Sequence, residues 1–387
     1  MRANPGGQIP PEEVVGRDEL IRRIWRILER QSLVLQAERR MGKSCVIKKM
    51  TAFPRQGFLA LYRDLEGVKT PLEFVETLFR DVERHLSRFG KMAGLARNLA
   101  RKLQGVQLGS VRFPQELAQD WKLLLEATLK DLVTQQEDRL VLFWDEIPYM
   151  LQNIRNRQGE EAAVDLLDNL RALRQTLPEI RMVFTGSIGL HHVLSTLREG
   201  GISHAPTNDM YVLEVPPLAE ADAADLALAL LEGERIRCDD PRATALAVAR
   251  GVDGVPFYIH HVVDRLAALS GPVGPGRVEA LIEENLTHPT DPWHMAHYRE
   301  RLGVYYGDRE PLALAVLDTL AVRPDGLTLE ELTNLLQALP EPPAPEEVRT
   351  MLVDLARDHY VVLRRGRFTF LFPMIRRWWR LERNLEP

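Results

Sequence analysis

Eight consecutive residues, Ala37-Glu38-Arg39-Arg40-Met41-Gly42-Lys43-Ser44, restrict this chain more than any other segment. They follow a short apolar run, Ser32-Leu33-Val34-Leu35, and lead into Cys45, Val46, Ile47 and Met50 at helical spacing. A strand, then a loop, then a helix opening on Gly-Lys-Ser is the layout of a phosphate-binding loop, here with alanine in place of the first glycine. The chemistry accounts for each residue type. Backbone N–H groups of Glu38, Arg39, Arg40, Met41 and Cys45, in the loop and the first helical turn, face a phosphate. Gly42 lets the backbone approach closely, Lys43 neutralises β- and γ-phosphate charge, and the Ser44 hydroxyl coordinates Mg²⁺. Ala37 predicts negative φ at its position and a stiffer loop.

About a hundred residues on, Leu140-Val141-Leu142-Phe143-Trp144 is an apolar strand ending in Asp145-Glu146. Two adjacent carboxylates at a strand end complement the loop. Asp145 is expected to hold Mg²⁺ through water, and Glu146 to orient or deprotonate an attacking water. A third strand, Ile180 to Thr185, leads into Gly186-Ser187. Thr185 and Ser187 are expected beside Glu146, within reach of a γ-phosphate or its water. Val14-Val15-Gly16-Arg17-Asp18 precedes the first helix, and Val15, Gly16 and Arg17 are placed to line an adenine.

Apolar strands alternate with helical patterns from residue 18 to Val215. Parallel strands need crossover helices, so this predicts an α/β fold with a parallel sheet, buried on both faces. Pro216-Pro217 marks a change. Helical Ala/Leu-rich segments follow to Leu286, broken at Gly251–Pro256. From Pro311 three helices precede Tyr360–Leu363, a glycine turn and Phe368–Phe372, which predicts a winged helix. The expected domains are 1–216 (core, with a basic helical stretch at 80–112), 217–300 (helical lid) and 305–387 (winged helix).

Composition narrows the function. With 45% hydrophobic and 27% charged residues the chain is an ordinary globular sequence. No apolar run reaches the roughly 20 residues of a spanning helix, and Met1–Pro10 lacks the apolar core of a signal peptide. The expectation is a cytoplasmic protein without membrane association. Two cysteines, Cys45 and Cys238, exclude a disulfide framework. The pairs His191-His192 and His260-His261 lack metal-ligand spacing. Of 50 Lys and Arg only 8 are Lys, yet one is Lys43. A net charge of −5 excludes a globally basic nucleic-acid binder but leaves local patches, the 80–112 stretch and Arg364-Arg365-Gly366-Arg367. From Pro311 onward 10 Arg face 11 Asp and Glu, and the third helix, Pro345 to Asp358, is acidic.

Val15-Gly16-Arg17-Asp18, Ala37–Ser44, Phe143-Trp144-Asp145-Glu146-Ile147-Pro148 and Val183-Phe184-Thr185-Gly186-Ser187 resemble, in that order, the motifs of an AAA+-like P-loop ATPase. More narrowly they are similar to archaeal and bacterial ATPases of the STAND class, relatives of the origin-recognition replication initiators. Gly254-Val255-Pro256 resembles the class's Gly-x-Pro motif in the lid, which implies that Pro256 packs near the adenine. Phe372 to Arg380 is similar to the end of its winged helix. The resemblance spans about residues 14–382. It departs at Ala37, and at 204–210, where relatives often carry an arginine that senses the γ-phosphate; the nearest candidate here is Arg198.

Together these readings predict a slow, switch-like Mg-dependent ATPase. It would bind ATP and ADP and control a protein partner or its own oligomerisation. The alternative is a DNA-binding ATPase of initiator, loader or regulator type, working through the winged helix and the basic stretch.

Overall fold

In a computed structural model of the chain, residues 1–87, 94, 98, 119–135, 137–186, 190, 193–194 and 206–386 are described. They form two compact units. One comprises Asp18–Gln36 and Lys43–Val215. The other comprises Met1–Arg17, Ala37–Gly42 and Pro216–Pro387.

The first unit is built on strands whose apolar runs do not alternate. Strands β1 (Leu33–Gln36), β2 (Phe58–Asp64), β3 (Arg139–Asp145), β4 (Ile180–Thr185) and β5 (Tyr211–Glu214) pair in the order β2-β3-β4-β1-β5, all parallel. Every residue of β4, and all of β3 after Arg139, is buried, as a sheet covered on both faces requires. Phe143, Trp144 and Phe184 are fully buried or nearly so. The Trp144 ring stacks on Phe184 at 5.9 Å and meets Phe74 edge-on at 5.1 Å. Each such burial contributes on the order of 2–3 kcal/mol.

The covering helices are α1 (Asp18–Leu28), α2 (Lys43–Ala52), α3 (Pro71–Ser87), α4 (Trp121–Thr134), α5 (Ile147–Gln158) and α6 (Glu160–Thr176). Leu166, Leu167, Leu170 and Leu173 of α6 form its buried face. The register sets Leu35 beside Thr185, Trp144 beside Phe184 and Asp64 beside Asp145. The carboxyl ends of β1, β3 and β4 therefore lie side by side, where open parallel sheets place their ligands.

In the second unit, helices α7 (Glu220–Gly233), α8 (Pro241–Gly251), α9 (Pro256–Ala267) and α10 (Pro275–Leu286) form one group. Asp240 caps α8 by accepting from the N–H groups of Arg242 and Ala243. Then come α11 (His297–Tyr306), α12 (Glu310–Ala321), α13 (Leu329–Leu336) and α14 (Pro345–Arg357). Strands β6 (Val361–Arg364) and β7 (Arg367–Phe370) form an antiparallel hairpin. Leu327 adds a short antiparallel bridge to Phe368. The turn residues Arg365 and Gly366 both have positive φ, the geometry of a two-residue hairpin loop. A last helix, α15 (Pro373–Glu382), buries Trp378 and Trp379, and the Trp379 indole N–H donates to Asp318 of α12 at 2.8 Å.

Candidate functional site

In the first unit the strand ends gather the groups expected to carry chemistry. Ser44, in the first turn of α2, donates from Oγ to Asp145 Oδ2 at 2.6 Å. Tyr62, near the end of β2, donates its phenol to the same oxygen at 3.4 Å. Burial, then the carboxylates of Asp145, Asp64 and Glu146, push the Tyr62 phenol above its ordinary range, so it stays protonated and donates. Lys43 and Asp145 are both buried. Thr185 is 2% exposed, and its hydroxyl has no hydrogen-bond partner among the described residues. A buried, unsatisfied hydroxyl at the end of the middle strand is costly unless something else uses it.

Glu146 ends β3 by turning left-handed, with φ 59° and ψ 34°, and is the N-cap residue of α5. For a residue with a Cβ this conformation costs about 1–2 kcal/mol, and such strain gathers at functional positions. Its Oε2 lies 3.4 Å from where a Cβ on Gly186 would stand, while Pro148 Cδ would be 2.5 Å from that atom. Gly186 is thus required by the close approach of α5 to the end of β4. Ser187 and Arg198 lie outside the described residues, as do His191, His192 and residues 99–112 of the basic stretch.

The loop residues Ala37–Gly42 belong to the second unit, where they are held at several points. Arg17, 4% exposed, donates to the Met41 carbonyl and to the Pro216 carbonyl, both at 2.8 Å. Its guanidinium braces the loop. Arg40 is left-handed, at φ 71°, and Gly42 has φ 83°. The Arg40 guanidinium lies 4.2 Å over the Phe257 ring and donates to Tyr258 Oη at 3.2 Å and to the Trp293 carbonyl. Gly16 is left-handed and tight against Asp222 and Leu218. Gly254 has φ +69°, and a Cβ there would sit 2.5 Å from the Leu218 carbonyl oxygen. Pro256 occupies the first turn of α9, where its missing N–H costs nothing.

Glu38 has the most elaborate partners. Its carboxylate takes a two-pronged contact from Arg301 of α11, Nη1 to Oε1 at 2.9 Å and Nη2 to Oε2 at 3.0 Å. Its own neighbour's amide, Arg39 N–H, donates to Oε1 at 2.9 Å. Burial opposes ionisation of Glu38. The Arg301 charge and its hydrogen bonds outweigh it and hold the carboxyl well below the usual range. Sequence reading finds Glu38 as a loop position but misses Arg301, His297 and Tyr360, which no motif connects to it.

Among the described residues no cluster of three or more His, Cys, Asp or Glu is arranged as a metal cage. The donor set of Ser44 and Asp145 is oxygen only and incomplete by itself. That suits Mg²⁺, which keeps waters and takes the rest of its shell from substrate phosphates. No helix among the described residues is long and apolar enough to cross a membrane.

No protein-family model matches the sequence, and no curated protein matches it. Solved structures do. The Walker-type ATPase PABY2304 of Pyrococcus abyssi superposes with a TM-score of 0.68 at 16% identity, over 98% of this chain and 100% of that one. The ORC2 protein of Aeropyrum pernix, solved as ADPNP–ADP complexes, gives 0.57 at 15% identity, over 98% of this chain and 96% of that one. At such identities the likeness is one of fold. This α/β chain, with its five-stranded parallel sheet and phosphate-binding-loop sequence, has the fold of that Walker-type ATPase and of ORC2.

Proposed function

We infer that the chain binds ATP and ADP and hydrolyses ATP with Mg²⁺, slowly, as a switch. The observation that carries this is the Ser44–Asp145 hydrogen bond, which joins the two motif halves at one point beside the unsatisfied Thr185 hydroxyl. When bound, Mg²⁺ supplies positive charge that neutralises the nucleotide's phosphate oxygens. Ser44 and Asp145 are the residues that would hold it. Lys43 would sit on the β- and γ-phosphates, with the N–H groups of loop 37–44 around them. Glu146 would orient the attacking water and take its proton, and Thr185, with Ser187, would hold the water or the γ-phosphate. Val15, Gly16 and Arg17, and Pro256 at the start of α9, are the residues assigned to the base.

The ADPNP and ADP complexes of ORC2 support a nucleotide-binding reading for a shared fold. The helices α12–α14 with the β6–β7 hairpin support a winged helix, and the resemblance of the motifs supports the STAND class. We assign residues 1–216 to the ATPase core, 217–300 to the lid and 305–387 to the winged helix, in a cytoplasmic protein. Turnover would change which protein partner is engaged, or the chain's self-association. Isothermal titration and phosphate-release assays test the core of this. Lys43→Ala should lose nucleotide binding, and Glu146→Gln should bind ATP but turn it over roughly 100-fold slower. Unchanged turnover in both variants sinks the reading.

A second reading has its own observation. Arg364 and Arg365 are exposed at the tip of the β6–β7 hairpin, whereas Arg367 is paired with Glu331 at 2.7 Å. Two free-standing arginines on a wing suit a DNA backbone. Duplex binding at low salt, weakened by Arg364→Ala and Arg365→Ala, would support it.

A further inference from the structure

The Glu38–Arg301 pair joins residues 263 positions apart within one unit. Glu38 has a side chain only 1% exposed, and Arg301 15%. All three guanidinium nitrogens donate. Nη1 and Nη2 fork onto Glu38, Nη2 also donates to the Asp358 carbonyl at 3.0 Å, and Nε donates to Tyr360 Oη at 2.6 Å. Tyr360 in turn donates to the Tyr298 carbonyl at 2.6 Å, and Tyr306 donates to Asp358 Oδ2 at 2.6 Å. The guanidinium also lies over the rings of Tyr360, at 4.3 Å, and Tyr298, at 4.8 Å. One end of this network is therefore the phosphate-binding loop, and the other is the junction of α14 and β6.

A buried ion pair is a poor way to gain stability, because desolvation offsets most of the attraction. An apolar pair of the same volume would do as well for folding. What a buried pair provides is a discrete alternative: it is either made, with its fork intact, or broken, with two buried charges exposed to a large penalty. Such an element has two states and no cheap intermediate. Its position matters, because it draws the Arg39 N–H onto Glu38, within the loop whose N–H groups are the expected phosphate donors.

We propose that Arg301 is a latch that couples the conformation of the phosphate-binding loop, through Glu38, to the C-terminal module at Asp358–Tyr360. Coupling of this kind is reciprocal. A loop that rearranges around a phosphate shifts the Arg301 network, and a partner that moves the module alters the loop. This rests on the nucleotide-binding reading above for its trigger, but the latch itself is a property of the chain without ligand.

Hydrogen exchange on the full chain tests it in two arms. The first uses no nucleotide. Glu38→Gln, which removes the charge at the loop end only, should speed exchange roughly tenfold or more at 358–370. The paired change Glu38→Gln with Arg301→Met removes both charges of the pair together, so neither is left buried without the other while the latch is lost. Acceleration confined to residues 37–42 in both variants overturns the latch. The second arm adds ADP with Mg²⁺. Exchange at 358–370 should respond to ADP in the wild type and not in the paired variant, each compared at the ADP concentration that saturates it, as read with a fluorescent ADP analogue. An undiminished response in the paired variant overturns the coupling. A wild type that binds no ADP overturns the nucleotide reading, and the first arm still decides the latch.

Discussion

The Ser44 hydroxyl reaches Asp145 at 2.6 Å, although 101 positions separate them in the sequence. The parallel register brings this about, by setting the carboxyl ends of β1, β3 and β4 in one row. Ser44→Ala removes the hydroxyl while Tyr62 still serves Asp145. Mg-dependent nucleotide affinity should fall roughly 10- to 100-fold, and affinity without Mg²⁺ should change little. Titration with and without EDTA checks the difference.

Thr185→Val separates folding from function. The hydroxyl has no partner among the described residues, so an apolar replacement should hold or raise stability, by about 1 kcal/mol. If the hydroxyl serves the γ-phosphate or its water, turnover should fall by about tenfold or more. Urea unfolding followed alongside phosphate release reads both. A loss of stability together with unchanged turnover would count against the role.

Asp253, in the turn before α9, is tied to the start of α15 by accepting from Met374 N–H at 2.7 Å. Burial raises its carboxyl to about 6, against the lowering effect of that hydrogen bond. The protonated form is thus favoured in the fold. Stability from this group is complete below the unfolded value near 4 and declines as pH rises through about 6. Asp253→Asn keeps an acceptor and tolerates the positive φ of 52°. It should stabilise the contact by about 1–2 kcal/mol at pH 7 and remove the pH dependence between 4 and 6. Exchange of the Met374 amide as a function of pH measures it.

Gly254→Ala should destabilise by about 2 kcal/mol or more. The residue is left-handed, and its Cβ would meet the Leu218 carbonyl oxygen, which is backbone and cannot swing aside. Thermal unfolding should report the loss. Gly271→Ala, left-handed but with open space around it, should cost less.

Several features were legible in the residues alone. Unbroken apolar runs such as Leu140–Trp144 set a parallel sheet buried on both faces, and a glycine-lysine-serine helix start after a strand set the loop. Helix α5 follows the same rule, since Ile147, Met150, Leu151 and Ile154 repeat at helical spacing and are all buried. Helix α15 is rich in arginine, yet it buries Met374, Ile375, Trp378 and Trp379 and leaves Arg376, Arg377 and Arg380 only half-buried. A sequence states residue types and local spacing, so it determines elements and motifs. It states no distances between remote positions.

The sequence by itself therefore determined the α/β class, the phosphate-binding loop and the paired carboxylates, because each depends on neighbours within a few residues. Only the tertiary structure decided that Ser44 meets Asp145, that the Thr185 hydroxyl is left unsatisfied, and that Arg17 braces Met41. It alone showed that the side chain of Glu38, a loop residue named only for its backbone, is held by Arg301. The reason is physical: a buried charge must be met by another charge, and the partner can come from any part of the chain that the fold brings within 3 Å.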